Sequence, residues 1–208
     1  MTIELYEYEN VNSFDEAIEI CKQFGNVQTD LNLGTVTSHE TATVPDQEWH
    51  QDGSHVVDFP KYAALWCEEA EEACPATQYI STRLDEDVAK KYIDIETGLD
   101  FSKPMNAGKF FIFETKAQER LYRMKAYRGK TPLIQKDEKG YYARWCPFTI
   151  LPEEINEELS QIFLTREPKE VYWKPKKLAV YANHSTIHRR KPYFNADGHR
   201  ILRRAYIR

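Results

Sequence analysis

The sequence predicts an α+β fold, mainly β, with a sandwich or barrel core and a few flanking helices. Three observations predict it. Short runs rich in β-branched and aromatic residues recur along the chain, bounded by turn-forming clusters. Only three stretches carry helical periodicity, and they lie early or between strands. The 13 Tyr and 10 Phe suit a β-rich core and an aromatic-walled pocket.

Residues 14–24 (FDEAIEICKQF) place Phe14, Ala17, Ile18, Cys21 and Phe24 at helical spacing, with Asn12 or Ser13 as N-cap and Gly25 as terminator. Thr35-Val36-Thr37 is β-branched and extended. Residues 62–67 (YAALWC) and 78–82 (QYIST) read as buried strands, with an acidic turn at 68–72 between them. Residues 84–92 (LDEDVAKKY) read as a second helix, capped by Thr82 or Asp85, and residues 109–113 as a short strand. The turn at 136–140 leads into 140–145 as a hairpin. A third helix spans 153–164, with Ile155, Leu159, Ile162 and Phe163 on one face. Strands at 177–182, 186–188 and 200–207 finish the chain.

A length of 208 residues suggests one domain, spanning 1–208, able to bury roughly 70% of its unfolded surface. A net charge of −5 argues against non-specific nucleic-acid binding. The four cysteines form no C-x-x-C pair, so free thiols in a reducing cytoplasm are expected. There is no secretory n-region or h-region and no run of 18 apolar residues, so neither a leader nor a membrane span is expected.

The chemistry resides in Trp49-His50-Gln51-Asp52-Gly53 and in the run from His188 to Arg204. In an extended segment, residues i and i+2 point to the same side, so His50 and Asp52 can grip one ion while Gln51 faces away. The third ligand can be His184, His188 or His199. His188 is preferred because Arg200 follows twelve residues later, and an antiparallel return strand would set Arg200 beside it. Two imidazoles and one carboxylate fill one face of an octahedral metal and leave the other open, the donor set of non-haem iron(II) oxygenases. Arg200, Leu202 and Arg204 share a face, and an inward guanidinium beside a metal needs an anion such as a carboxylate.

In order along the chain, several motifs resemble those of the taurine/2-oxoglutarate dioxygenase group, which includes clavaminate-synthase-like enzymes. They are Phe24-Gly25-Asn26-Val27; the W-H-x-D of Trp49 to Asp52; Thr77; Phe148-Thr149; Asn183 to His188 followed by Arg189 or Arg190; and the R-x-x-x-R of Arg200 to Arg204. Coverage is nearly end to end. The chain departs at Ala182, where relatives often carry aspartate, and in the compressed stretch from 92 to 127 that usually helps form a substrate lid. The resemblance implies a double-stranded β-helix (jelly-roll) core, iron(II) on His50, Asp52 and His188, and 2-oxoglutarate held by Arg200 with Thr77. Arg204 would hold the cosubstrate or an anionic substrate. With O2, such an enzyme oxidises a C–H bond of a small molecule, and the presence of Asp52 favours hydroxylation over halogenation. An amino acid or natural-product intermediate is the expected substrate class. Desaturation, ring closure and a cupin-like metal protein without oxygenase activity are the alternatives.

Overall fold

The computed structural model describes residues 3–28, 35–38, 49–52, 60–99, 131–147, 149–191 and 198–208. In chain order the elements are β1 Leu5–Tyr8, α1 Phe14–Cys21, β2 Val27–Gln28, β3 Thr35–Ser38, β4 Tyr62–Ala70, β5 Thr77–Ser81, β6 Arg83–Leu84, α2 Glu86–Lys90 and β7 Glu96–Leu99. They continue as β8 Thr131–Pro132, β9 Ile134–Asp137, β10 Gly140–Ala143, β11 Thr149–Ile150, α3 Glu153–Leu164, β12 Lys169–Val171, β13 Leu178–Tyr181, β14 Thr186–Arg190 and β15 Arg200–Ile207. The strand expected at 109–113 lies outside the described residues, as do Gly53, Phe148 and most of the loop before Arg200.

The architecture is mainly β, and all described pairings are antiparallel. The major sheet runs β1-β13-β4-β15-β2, with β3 also on β15. A smaller sheet, β12-β5-β14, faces it. Ala63, Leu65 and Cys67 of β4, Tyr79 of β5, Val171 of β12, Trp173, Ala179 and Tyr181 of β13, and Leu202 of β15 form one buried layer between the two sheets. This antiparallel arrangement fits a jelly-roll core.

Helices cover the outer faces. Ser13 caps α1, its hydroxyl accepting from the Glu16 N–H at 3.1 Å. Ala17 and Cys21 then pack on Ala64, Trp66, Val180 and Ala205. The helical period predicted through Phe24 ends as a 3₁₀ turn at Lys22–Phe24. Gly25 follows at φ +144°, where a Cβ would lie 2.2 Å from the Arg208 carbonyl. On the far side of the smaller sheet, Leu159 and Phe163 of α3 pack with Ile80, Ile187, Trp49 and Trp145. Among the described residues, no helix is long and apolar enough to cross a membrane.

Three expectations change. The predicted helix at 84–92 shrinks to α2, because Arg83 and Leu84 are drawn into pairing with Tyr142 and Tyr141. The acidic turn at 68–72 begins later than its composition suggests. β4 continues to Ala70 because β15 pairs alongside it, and Arg203 takes both oxygens of Glu68 at 2.6 and 2.8 Å. Finally, β15 does not return beside β14. One edge of β14 is occupied by β5, and His188 on the other edge exchanges both backbone hydrogen bonds with His50, at 2.9 and 3.0 Å. With both edges taken, β15 pairs with β4 in the opposing sheet. Arg200 and Arg204 therefore approach His188 across the interior instead of along a shared sheet.

Candidate metal centre

The antiparallel bridge between His50 and His188 sets their side chains on the same side, with ring centroids 4.2 Å apart. Its register is held on the opposite face by Arg189, whose guanidinium lies 4.4 Å over the Trp49 ring. Arg189 also donates through Nε to Gln78 at 2.8 Å. Of the two arginines that follow His188, Arg189 thus faces the outer core, while Arg190 is buried opposite Thr77.

Asp52 completes the cluster. Its Oδ1 lies 3.8 Å from His50 Nε2 and its Oδ2 3.9 Å from His188 Nε2. One ligand atom from each of the three residues falls within 4.8 Å of the others, a spacing at which they can hold one metal ion. Arg204 Nη1 donates to Asp52 Oδ1 at 3.1 Å, and the Tyr181 hydroxyl donates to Oδ2 at 3.2 Å. That hydroxyl is also 3.3 Å from His188 Nε2.

The electrostatics keep Asp52 and His188 in ligating form. Burial alone would raise the Asp52 carboxyl, but Arg204, then His188 and His50, hold it down to about 2. Burial pushes His188 down to about 3, and the nearby His50 adds to this, so its imidazole is neutral near pH 7. Burial also opposes charge on Arg204, yet the facing Asp52 carboxylate outweighs it and raises that guanidinium.

Asn183 is the positioning residue whose function the motif alone does not reveal. Its Nδ2 donates to the carbonyls of Asp52 at 2.7 Å and Pro60 at 3.0 Å, while its Oδ1 accepts from the Asp52 N–H at 2.9 Å. Asn183 sits at 0% exposure, in a 3₁₀ turn that fills the gap between the strands expected at 177–182 and 186–188. The turn also removes His184 from candidacy. Its Nδ1 meets the Lys61 carbonyl at 2.8 Å and its Nε2 meets Asp137 at 3.1 Å, where Arg83 binds Asp137 with both arms. His199 lies 3.8 Å from Glu69, in a separate cluster. Asn183→Ala would leave the Asp52 N–H and two carbonyls without their partner. The expected result is metal affinity weakened roughly 10–100-fold, measured by chelator competition, in line with the loss of other outer-shell supports of metal ligands.

Arg200 and Thr77 gather around Trp173 rather than at the triad. The indole Nε1 donates to Thr77 Oγ1 at 2.9 Å, and the Arg200 guanidinium lies 5.9 Å from the ring. Arg200 is 3% exposed and donates to the Pro75 carbonyl. Burial lowers its pKa to about 10; facing thiols partly offset this, and the nearby Arg190 charge lowers it further. It remains a cation near neutrality. Arg144 is also buried, with its Nη1 donating to Thr131 Oγ1 at 3.3 Å.

No family model matches the sequence, and no curated protein matches it. Solved structures do match in shape. The chain superimposes on AAD-2, crystallised with Mn(II) and N-oxalylglycine, with TM-score 0.72 and 14% identity, covering 98% of this chain and 84% of that one. A taurine dioxygenase from Burkholderia xenovorans gives TM-score 0.69 and 14% identity, covering 98% and 75%. The non-haem iron oxygenase OrfP, in complex with Fe and L-Arg, gives TM-score 0.66 and 16% identity, covering 94% of this chain but 64% of that longer one. The chain has the fold of these dioxygenases.

Proposed function

We propose that this protein is an iron(II)- and 2-oxoglutarate-dependent dioxygenase. In this reading it is a single domain over residues 1–208 on a double-stranded β-helix, working in a reducing cytoplasm. It hydroxylates a small polar molecule such as an amino acid. The observation that carries the reading is the pairing of the His50–Asp52–His188 cluster with a buried guanidinium, Arg200, on the facing sheet. A metal-dependent hydrolase or isomerase on the same scaffold would have no use for that buried cation.

His50, Asp52 and His188 would hold the metal, a donor set suited to iron(II) with open positions. Iron bound there supplies oxygen activation coupled to decarboxylation of 2-oxoglutarate, so that 2-oxoglutarate, O2 and a C–H bond become succinate, CO2 and an alcohol. The chain's own part is placement. Arg204 keeps the Asp52 carboxylate ionised and fixes Oδ1, while Tyr181 fixes Oδ2. Arg204 Nε is buried without a partner, available to an anion of the cosubstrate or substrate. Arg200 would bind the distal carboxylate, with the Thr77 hydroxyl assisting. A guanidinium kept out of water beside Arg190 is strongly favoured by such an anion. The inter-sheet aromatic layer keeps bulk water from this corner.

The test is 2-oxoglutarate turnover. Purified protein with iron(II), 2-oxoglutarate, O2 and a panel of amino acids should release succinate, fastest with the true substrate, whose product gains one oxygen by mass. Succinate release no faster than in metal-free controls, across the panel and without added substrate, overturns the reading.

A further inference from the structure

Tyr79 lies in the inter-sheet layer at 0% exposure; its hydroxyl makes no well-formed hydrogen bond, and the Thr77 hydroxyl acts on it only as a donor, which leaves the phenolic hydrogen uncommitted. Buried hydroxyls in folded proteins nearly always make such a bond, because an unmade hydrogen bond destabilises the folded state. A phenylalanine would fill the same space without that cost. Its neighbour Tyr181, with ring centroids 5.0 Å away, shows the contrast, since its hydroxyl is committed to Asp52 and His188.

The position of Tyr79 shows what the hydroxyl can serve. In the pairing of β5 with β14, Tyr79 is directly opposite His188, and the two rings stack at 5.9 Å and 25°. Two residues back along the same face, Thr77 is opposite Arg190. That step is about 6.6 Å along the strand. One end of the row therefore holds the metal cluster and the other holds Thr77 and Arg190, with Arg200 beside them. Tyr79 stands at the metal end, opposite His188, yet Arg200 and Thr77 from the other end act on its hydroxyl as well as Asp52. The surrounding groups are donors. Thr77 Oγ1 already accepts from Trp173, which leaves its hydrogen to donate, and the guanidiniums have only donors. A set of donors along a short row between a metal and a buried cation fits a ligand rich in acceptors at both ends.

We propose that the Tyr79 hydroxyl is a third protein donor to bound 2-oxoglutarate, acting between the metal-binding end and the carboxylate held by Arg200. This rests on the dioxygenase reading and adds a positioning residue to it. The hydroxyl then selects for a dicarboxylate that spans the whole row, and it stays unsatisfied until the cosubstrate arrives.

Tyr79→Phe removes the hydroxyl alone. Its effects should split in opposite directions. The ligand-free variant should melt at about the same temperature as the unaltered protein or higher, because no well-formed protein hydrogen bond is lost. Its iron(II) affinity should be unchanged. Its 2-oxoglutarate dissociation constant, from anaerobic titration of the iron(II) form, should rise about tenfold or more. Equal 2-oxoglutarate affinity in both proteins overturns the proposal and leaves the dioxygenase reading intact. A variant that misfolds or melts well below the unaltered protein also overturns it, because the hydroxyl would then have a structural partner. If the unaltered iron(II) protein binds no 2-oxoglutarate, the dioxygenase reading falls and takes the proposal with it.

Discussion

His188→Ala is expected to abolish metal-dependent turnover, with iron(II) affinity falling by more than about a hundredfold. Loss of an outer-shell support costs 10–100-fold in such sites, and a ligand matters more than its support. The variant should still fold. The backbone exchange with His50 involves only the main chain, which alanine keeps. Because burial and His50 hold the imidazole neutral near pH 7, its removal strands no charge. The two effects separate in a melting experiment. Added metal at about 100 times its dissociation constant should stabilise the unaltered protein by about 2.7 kcal/mol. The variant should show no such rise while melting normally without metal. A metal-dependent rise of equal size in the variant would show that His188 is not a ligand.

Arg200→Ala is expected to weaken 2-oxoglutarate binding by about a hundredfold or more while sparing iron(II). The loss is that of a charge-assisted, two-pronged contact in a site shielded from water. Alanine also removes the donor to the Pro75 carbonyl and opens space beside Trp173, so some stability is lost with it. Arg200→Lys is the cleaner comparison. It keeps the charge and most of the volume but not the planar fork, and should fall between the two. Calorimetric titration of each variant with 2-oxoglutarate in the presence of Mn(II) measures this. Parallel loss of metal and cosubstrate binding would contradict the assigned role, because Arg200 gathers with Thr77 and Trp173 rather than with the triad.

Much of this site is legible before folding because its chemistry is local. His50 and Asp52 are two residues apart, so their proximity is built into the sequence, although Asp52 sits in a turn held by Asn183 and not in an extended strand. The alternation of Arg200, Leu202 and Arg204 against Arg203 also survives, with Leu202 and Arg204 facing inward and Arg203 reaching Glu68 outside. What is not legible depends on partners distant in the chain. The strand that Arg200 joins is decided by the His50 bridge, which occupies the edge of β14 that a simple return would have used. The exclusion of His184 depends on a 3₁₀ turn that Asn183 stabilises by binding a backbone 131 residues away. Tyr79 and Tyr181 lie in runs that read as ordinary buried strands, TQYIS and LAVY. Nothing in those runs separates a ring that fills the core from a hydroxyl that faces a ligand. Only the facing of two sheets makes that distinction.

The triad and the Arg200 corner together should bind iron(II) and 2-oxoglutarate as one complex. Visible absorption of the anaerobic protein tests this most directly. A weak charge-transfer band should appear only when both iron(II) and 2-oxoglutarate are present and should be lost in His188→Ala. Absence of the band from the unaltered protein, or its persistence in His188→Ala, would rule out His50, Asp52 and His188 as the iron site of a 2-oxoglutarate complex.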